Sequence, residues 1–184
     1  MSKKTKFILI TTWILFSRSY DVYCTNQLTT ELDRETNVLV SVLGFAWTPL
    51  LFTIGAITLY VIYTNYLTIF KPKNLFPPEK DYSFKDFVSY IYFGHKENFT
   101  SMLYKMPKDK SRINYLAGHI LTICFVFAGI LTTIMWLLIK YTNYYKTVHS
   151  ASVVYSILLI GCAVLMYEWY RREYKEYKKI VILK

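Results

Sequence analysis

The residues best suited to chemistry form a polar stripe in the first apolar segment of this 184-residue chain. Arg18 and Asp21 are three residues apart and Thr25 follows Asp21 by four, so a helix would place all three on one face. A charge in a membrane costs about 2.5–3.5 kcal/mol on insertion scales, and an ion pair lowers that cost. Two interpretations stay open: a polar lining for an ion, a proton or a substrate, or a lock that fixes the packing between helices.

A second polar group, Glu35 and Asn37, precedes the next apolar segment. Asn37 can cap a helix that begins there, and Glu35 suits the positive end of that helix, which is a sufficient structural explanation. Both residues fall on the same predicted side of the membrane as Asp21 and Thr25. The candidates for one polar site, in the membrane or on its outer face, are therefore Arg18, Asp21, Thr25, Glu35 and Asn37.

The other residues with reactive side chains are dispersed along the chain. The 3 histidines lie in separate segments without paired carboxylates, and the 3 cysteines lie in or near apolar segments, where they behave as small hydrophobes. The chain has no G-x-S-x-G elbow, no H-E-x-x-H pair and no P-loop. We therefore expect no metal site, no cofactor and no catalytic residue, and nothing in the sequence supports an enzyme.

Four apolar segments must position the polar stripe. They cover about 7–28, 40–68, 113–139 and 148–168; the second and third contain no Lys, Arg, Asp or Glu, and the fourth has only Glu168 at its end. A helix that spans a bilayer needs about 20 apolar residues. The sequence therefore predicts an all-α integral membrane protein, one membrane domain over 1–184 with four transmembrane helices.

The first segment also begins like a cleaved leader, because Lys3, Lys4 and Lys6 precede an apolar core. No small-x-small cleavage site follows, since the chain continues as Ser17-Arg18-Ser19-Tyr20. We therefore expect a retained helix that carries the ion pair.

The charge distribution predicts the orientation. The chain has 22 Lys and Arg against 12 Asp and Glu. Of the basic residues outside the spans, 18 fall at the two termini and in the connection 71–112, and three fall on the other side. Lys and Arg stay cytoplasmic, so both termini and this connection should face the cytoplasm from an inner membrane. Because the basic residues flank spans rather than cover one folded face, no nucleic-acid partner is expected.

The cytoplasmic connection 71–112 should contain a short amphipathic helix. Ser83 can cap it. Its apolar face, at helical spacing, would consist of Phe84, Phe87, Val88 and Ile91. This helix either lies on the inner leaflet or packs on neighbouring parts of the protein, and both alternatives stay open.

A second piece, 98–106, places four apolar residues on one face before Pro107 ends it: Phe99, Met102, Leu103 and Met106. The basic cluster that follows consists of Lys105, Lys108, Lys110 and Arg112. Such a cluster attracts anionic lipid headgroups at about 1 kcal/mol per residue, although simple positive-inside anchoring is the interpretation that we favour. A basic tail, 169–184, completes the chain.

Small residues mark where spans should approach one another. Gly118 and Gly129, and later Gly161 with Ala163, give the third and fourth spans small faces. Pro49 should kink the second span, because it removes a backbone donor.

One resemblance rests on the polar residues of the first 70 positions. Asp21, Thr25, Glu35, Asn37 and the apolar Leu39 resemble an uncharacterised family of small bacterial polytopic membrane proteins with the pattern Asp-x3-Thr followed by Glu-x-Asn-Pro. The chain departs from that pattern at residue 38, where Val stands in place of Pro. The resemblance implies a membrane protein of unassigned activity.

These observations predict a non-enzymatic inner-membrane protein that acts as a sensor, scaffold or assembly subunit. Its partners would be membrane lipids and either further copies of itself or another membrane protein. The alternative is a small ion channel or transporter that uses the polar site on the first span; four spans bury few polar residues, so a pore would require an oligomer.

Overall fold

A computed structural model describes residues 1–28, 32, 38–79 and 81–182, and within these ranges the chain forms helices and no strand. The all-α prediction is confirmed for this part of the chain. The helices are α1 (Lys3–Leu28), α2 (Val38–Ser41), α3 (Trp47–Phe70), α4 (Phe84–Phe93), a 3-10 helix (Phe99–Leu103), α5 (Lys110–Tyr141), α6 (Asn143–Val148) and α7 (Ala151–Ile182).

Three of these helices, α3, α5 and α7, are long and apolar enough to cross a membrane. Helix α1 is 26 residues long but is not among them. Arg18, Asp21 and the polar residues that follow them lower its hydropathy. The fourth predicted span therefore depends on how α1 is accommodated.

Helix α5 lies at the centre of the bundle and packs against α1, α3 and α7, while α1 also contacts α3. A glycine lies at each contact of α5 with α1, α3 and α7. An added Cβ at Gly118 would meet the Thr64 carbonyl of α3, one at Gly129 would meet Ser17 of α1, and one at Gly161 would meet the Phe127 ring. The glycines of the predicted small faces thus lie at contacts between helices, whereas Ala163 is exposed.

The start of α1, the end of α7 and the connection between α3 and α5 lie at one end of the bundle, which we call the connection end. Phe7 near the start of α1 meets Phe70 at the end of α3, with ring centroids 5.6 Å apart. Tyr177, near the end of α7, packs against Phe87 of α4. Helices α1 and α5 run from this end to the opposite end, and α3 and α7 run back to it.

The connection end is closed by a set of buried side chains that we call the aromatic cluster. Its buried members are Leu75, Tyr82, Phe87, Val88, Ile91, Leu116, Trp169, Tyr170 and Tyr177. Helix α4 supplies its apolar face to this cluster, so that face is covered by α5 and α7. Of the two alternatives for α4, the structure favours a helix packed on its neighbours. Ser83 caps α4 as predicted, because its hydroxyl accepts from the Asp86 N–H at 3.2 Å.

The second predicted span, about 40–68, is not one helix, because α2 ends at Ser41 and α3 begins at Trp47. Helix α7 is continuous from Ala151 to Ile182, so residues 169–182 of the predicted basic tail continue the same helix. Pro49 lies in the first turn of α3, which begins at Trp47, and not in the middle of a span. A proline there removes no intrahelical hydrogen bond, so the kink prediction is wrong.

Candidate functional cavity

The polar stripe of α1 is bound to α5. The Arg18 guanidinium lies 3.5 Å from the Asp21 carboxylate and donates to the Thr132 hydroxyl at 3.1 Å. The other Asp21 oxygen accepts from the Trp136 indole N–H at 2.7 Å. The two charged side chains are 19% and 28% exposed, so most of their surface is covered by protein. These contacts are the ones expected of an interhelical lock, one of the two interpretations that the sequence leaves open.

The lock is possible because α1 and α5 come close one turn nearer the connection end. Ser17 is fully buried against Gly129, and its hydroxyl donates to the Ile14 carbonyl at 3.2 Å. The Trp13 indole donates across to the Val126 carbonyl at 3.3 Å. These contacts fix the register of the two helices and so place Arg18 and Asp21 opposite Thr132 and Trp136.

The same stripe also lines a cavity of about 630 Å³ between α1, α3, α5 and α7, at the end opposite to the connection end. Its polar lining consists of Arg18, Asp21, Thr25, Thr132, Trp136, Lys146, His149 and Tyr155. Trp47, two alanines and leucine, isoleucine, valine and methionine side chains form the rest of the wall. The lock and the lining are therefore formed by the same residues, and the two interpretations do not exclude each other.

The cavity does not extend through the bundle. On α1 the lining begins at Arg18, on α3 it ends at Ile54, and on α5 it begins at Ala128. Nearer the connection end, Ile14, Ser17, Val61 and Thr64 have no exposed surface. The described part of the chain thus forms a one-sided pocket.

Two nitrogen atoms in the cavity wall have no hydrogen-bond partner among the described residues. They are the Arg18 Nε and the His149 Nδ1, and both are buried. Buried polar atoms are normally hydrogen-bonded, so these atoms are positions at which a bound molecule could supply the partner. The cavity wall can form ion pairs, hydrogen bonds and apolar contacts with a bound molecule. No three His, Cys, Asp or Glu residues lie together in the described ranges in a way that could hold a metal ion.

The structure brings together three of the five predicted site residues: Arg18, Asp21 and Thr25. Glu35 and Asn37 lie outside the described residues. Sequence reasoning missed Thr132, Trp136, Lys146 and His149. The spacing of four between Thr132 and Trp136 puts them on one face of α5, but nothing in the sequence pairs that face with α1.

The structure divides the predicted lipid-binding cluster. Arg112 donates to the Tyr90 and Ile91 carbonyls at 3.1 and 3.2 Å, and so closes the C-terminus of α4. Gly94 has a φ of 84°, and its lack of a Cβ leaves room for this guanidinium. Lys105 lies 3.4 Å from the Glu97 carboxylate. Lys108 and Lys110 are exposed.

Comparison of the chain with protein-family models, with curated proteins and with solved structures finds no match.

Proposed function

We propose that this chain is a four-span inner-membrane protein with both termini in the cytoplasm, and that α1 is the fourth span. A 26-residue helix is about 39 Å long, enough to cross a bilayer core of about 30 Å. The partners on α5 reduce the cost of placing Arg18 and Asp21 in the membrane. An even number of crossings also agrees with chain ends that lie at the same end of the bundle.

Within this topology, we propose that the protein is a non-enzymatic sensor that binds a small amphipathic molecule in the outer cavity. The observation that carries this proposal is the path of α7. Its first turns line the cavity through Ala151, Val154 and Leu158, and its last turns supply Trp169 and Tyr177 to the aromatic cluster. A molecule that displaces α7 in the cavity would therefore also move side chains on the cytoplasmic side.

The size and lining of the cavity suit such a ligand. Small-molecule sites are typically about 300–1,000 Å³, mostly apolar, with a few placed polar groups. The cavity has this composition, with a charged pair at one wall and apolar side chains at the others.

The alternative is a channel or transporter, which the charged lining of the cavity favours. Transport would require the closed contacts around Ser17 and Val61 to open, or a path between subunits. The span of α7 is only 6% buried within one chain, so its free surface is where we propose that lipids, a second copy or a membrane partner pack.

The test begins with access to the cavity, in a variant whose three cysteines are replaced by alanine. Ala128→Cys places a thiol in the cavity wall, and Ile130→Cys places one on the exposed face of the same helix. In proteoliposomes, a membrane-impermeant methanethiosulfonate on the outer side should label Ala128→Cys and spare Ile130→Cys. Equal protection of both thiols would mean that the cavity is closed to water.

The second step measures coupling. Labelled Ala128→Cys should change amide hydrogen exchange in α4 and in the last turns of α7, whereas Ile130→Cys labelled with a permeant reagent should not. Unchanged exchange in both would contradict the sensor. Ion flux through the unlabelled protein, lost in a folded Asp21→Ala variant, would establish the channel instead.

A further inference from the structure

The loop 99–109, which contains the short 3-10 helix and leads into α5, has several large apolar side chains that no other part of the described structure covers. Leu103, Met106 and Tyr104 are 89%, 80% and 72% exposed, and Phe99 is 45% exposed. The sequence predicts a helix with one apolar face here. The structure has a short 3-10 helix instead, and three of the four apolar side chains of that face remain uncovered.

The loop is held from its inner side, so the exposure is a property of a fixed structure. Ser101 is 2% exposed and donates to the Glu97 carboxylate at 3.2 Å, while Ser89 of α4 donates to the Glu97 carbonyl at 2.7 Å. Pro107 is buried. The Asn98 N–H and then the Lys105 ammonium lower the pKa of the Glu97 carboxyl, which keeps it charged as the anchor of the loop. The loop is thus anchored through Ser101, Pro107 and the Glu97 contacts, while Leu103, Tyr104 and Met106 face outward.

The exposed charged residues of this segment are three lysines, Lys105, Lys108 and Lys110, and one acid, Asp109, whose carboxylate accepts from the Ser111 N–H and hydroxyl. Among the described residues, no carboxylate lies within ion-pair distance of Lys108 or Lys110, and both lysines are exposed. Apolar side chains next to unpaired lysines are typical of surfaces that bind anionic bilayers. A soluble protein partner gives no comparable reason for this combination.

The loop is also tethered at the membrane surface. The charge-free stretch of α5 begins at Ile113, one turn after Lys110, and the four residues from Met106 to Lys110 span at most about 14 Å. The headgroup region of each leaflet is roughly 5–8 Å thick. The loop therefore borders the inner leaflet wherever α5 enters it.

We propose that Leu103, Tyr104 and Met106 insert into the inner-leaflet interface, with Lys108 and Lys110 on anionic headgroups. This inference rests on the proposed span of α5 and not on the outer cavity. The Tyr104 ring is exposed while its hydroxyl lies 3.2 Å from the Ser101 hydroxyl, and amphipathic tyrosine rings are enriched at membrane interfaces. Arg112 takes no part, since it is bound to the end of α4.

The test uses the full chain, without its native cysteines, in vesicles of phosphatidylcholine with or without phosphatidylglycerol. An environment-sensitive NBD fluorophore is attached to Leu103→Cys, and separately to Thr100→Cys, an exposed polar position on the same loop. We expect a blue-shifted spectrum and quenching by nitroxide lipids at Leu103→Cys, stronger with phosphatidylglycerol, and water-like emission at Thr100→Cys. Lys108→Gln and Lys110→Gln should each lower the inserted-to-free ratio about five-fold in the anionic vesicles.

Every other outcome contradicts either the proposed insertion of the loop or the proposed membrane span of α5. Water-like emission at Leu103→Cys, or a blue shift without lipid quenching, overturns the inference; the second result means that protein covers the loop. The fluorophore at Ile130→Cys on α5 reports the span itself. Lipid quenching at Ile130→Cys but not at Leu103→Cys refutes only the loop, whereas quenching at neither refutes the proposed membrane span.

Discussion

At the scale of single residues, the Arg18–Asp21 pair shows how a membrane helix tolerates charge. Each charged group meets a polar partner on α5, Thr132 or Trp136, in addition to the other charge. A carboxylate that accepts from an indole N–H and lies near a guanidinium needs little water. The pair can therefore hold the bundle together and still line a cavity.

We predict that Asp21→Asn lowers the free energy of unfolding by on the order of 1 kcal/mol, because Arg18 loses its counter-ion while the amide keeps the shape of the side chain. Reversible unfolding in detergent or bicelles would measure this. Glu176→Gln is the matched control, since it breaks an exposed pair with Lys179 on α7 and should change stability by less than about 0.5 kcal/mol. Equal effects of the two substitutions would contradict the lock.

At the scale of elements, helix contacts in this bundle depend on small residues at particular positions along the helices. Gly118 lets the backbone of α3 approach α5, and a backbone carbonyl has no rotamer with which to move away. Gly55, on α3, has nothing within 4 Å of the position of its missing Cβ. The two glycines thus differ in surroundings and not in residue type.

We therefore predict opposite results for the same change at these positions. Gly118→Ala should destabilise the protein by about 1–3 kcal/mol, because the new methyl group overpacks against the Thr64 carbonyl. Gly55→Ala should be neutral or stabilising by up to about 1 kcal/mol, because alanine favours a helix. The free energies of unfolding of both variants, measured in the same detergent, test this prediction. An equal loss of stability in the two variants would contradict the idea that Gly118 is needed for the close contact between α3 and α5.

At the scale of the whole molecule, the long helices connect two ends of the bundle that differ in the side chains they contain. The end opposite the connection holds the charged cavity, and the connection end holds the aromatic cluster. Helix α7 belongs to both, since its 32 residues extend for about 48 Å. The position of α1 decides whether this arrangement crosses a bilayer four times.

We predict that topology reporters placed after Thr29 and after Lys184 lie on opposite sides of the membrane, because α1 crosses it once before Thr29 and the remaining three spans bring the chain back. Paired alkaline phosphatase and fluorescent-protein fusions would measure this. Reporters on the same side would refute the four-span topology. A mature protein whose N-terminus begins beyond Arg18 would instead show that α1 is a leader.

The sequence by itself determined the local features of this protein. Apolar length predicts four spans, and three of them are helices long and apolar enough to cross a membrane. Ser83 predicts the start of α4, and the spacing of Arg18, Asp21 and Thr25 predicts one polar face. Each of these depends on residues within a few turns of one another. The sequence also showed that α4 has an apolar face, but periodicity does not say whether lipid or protein covers it.

Only the tertiary structure decided which faces meet. The bond from Trp136 to Asp21 joins residues 115 positions apart, and no spacing rule connects positions at that separation. The same holds for α4 on α7, for Arg112 on the end of α4, and for the cavity, which is a space left between four helices. Pairing follows from how side-chain volumes on different helices fit together, and that fit is fixed only when the helices are assembled.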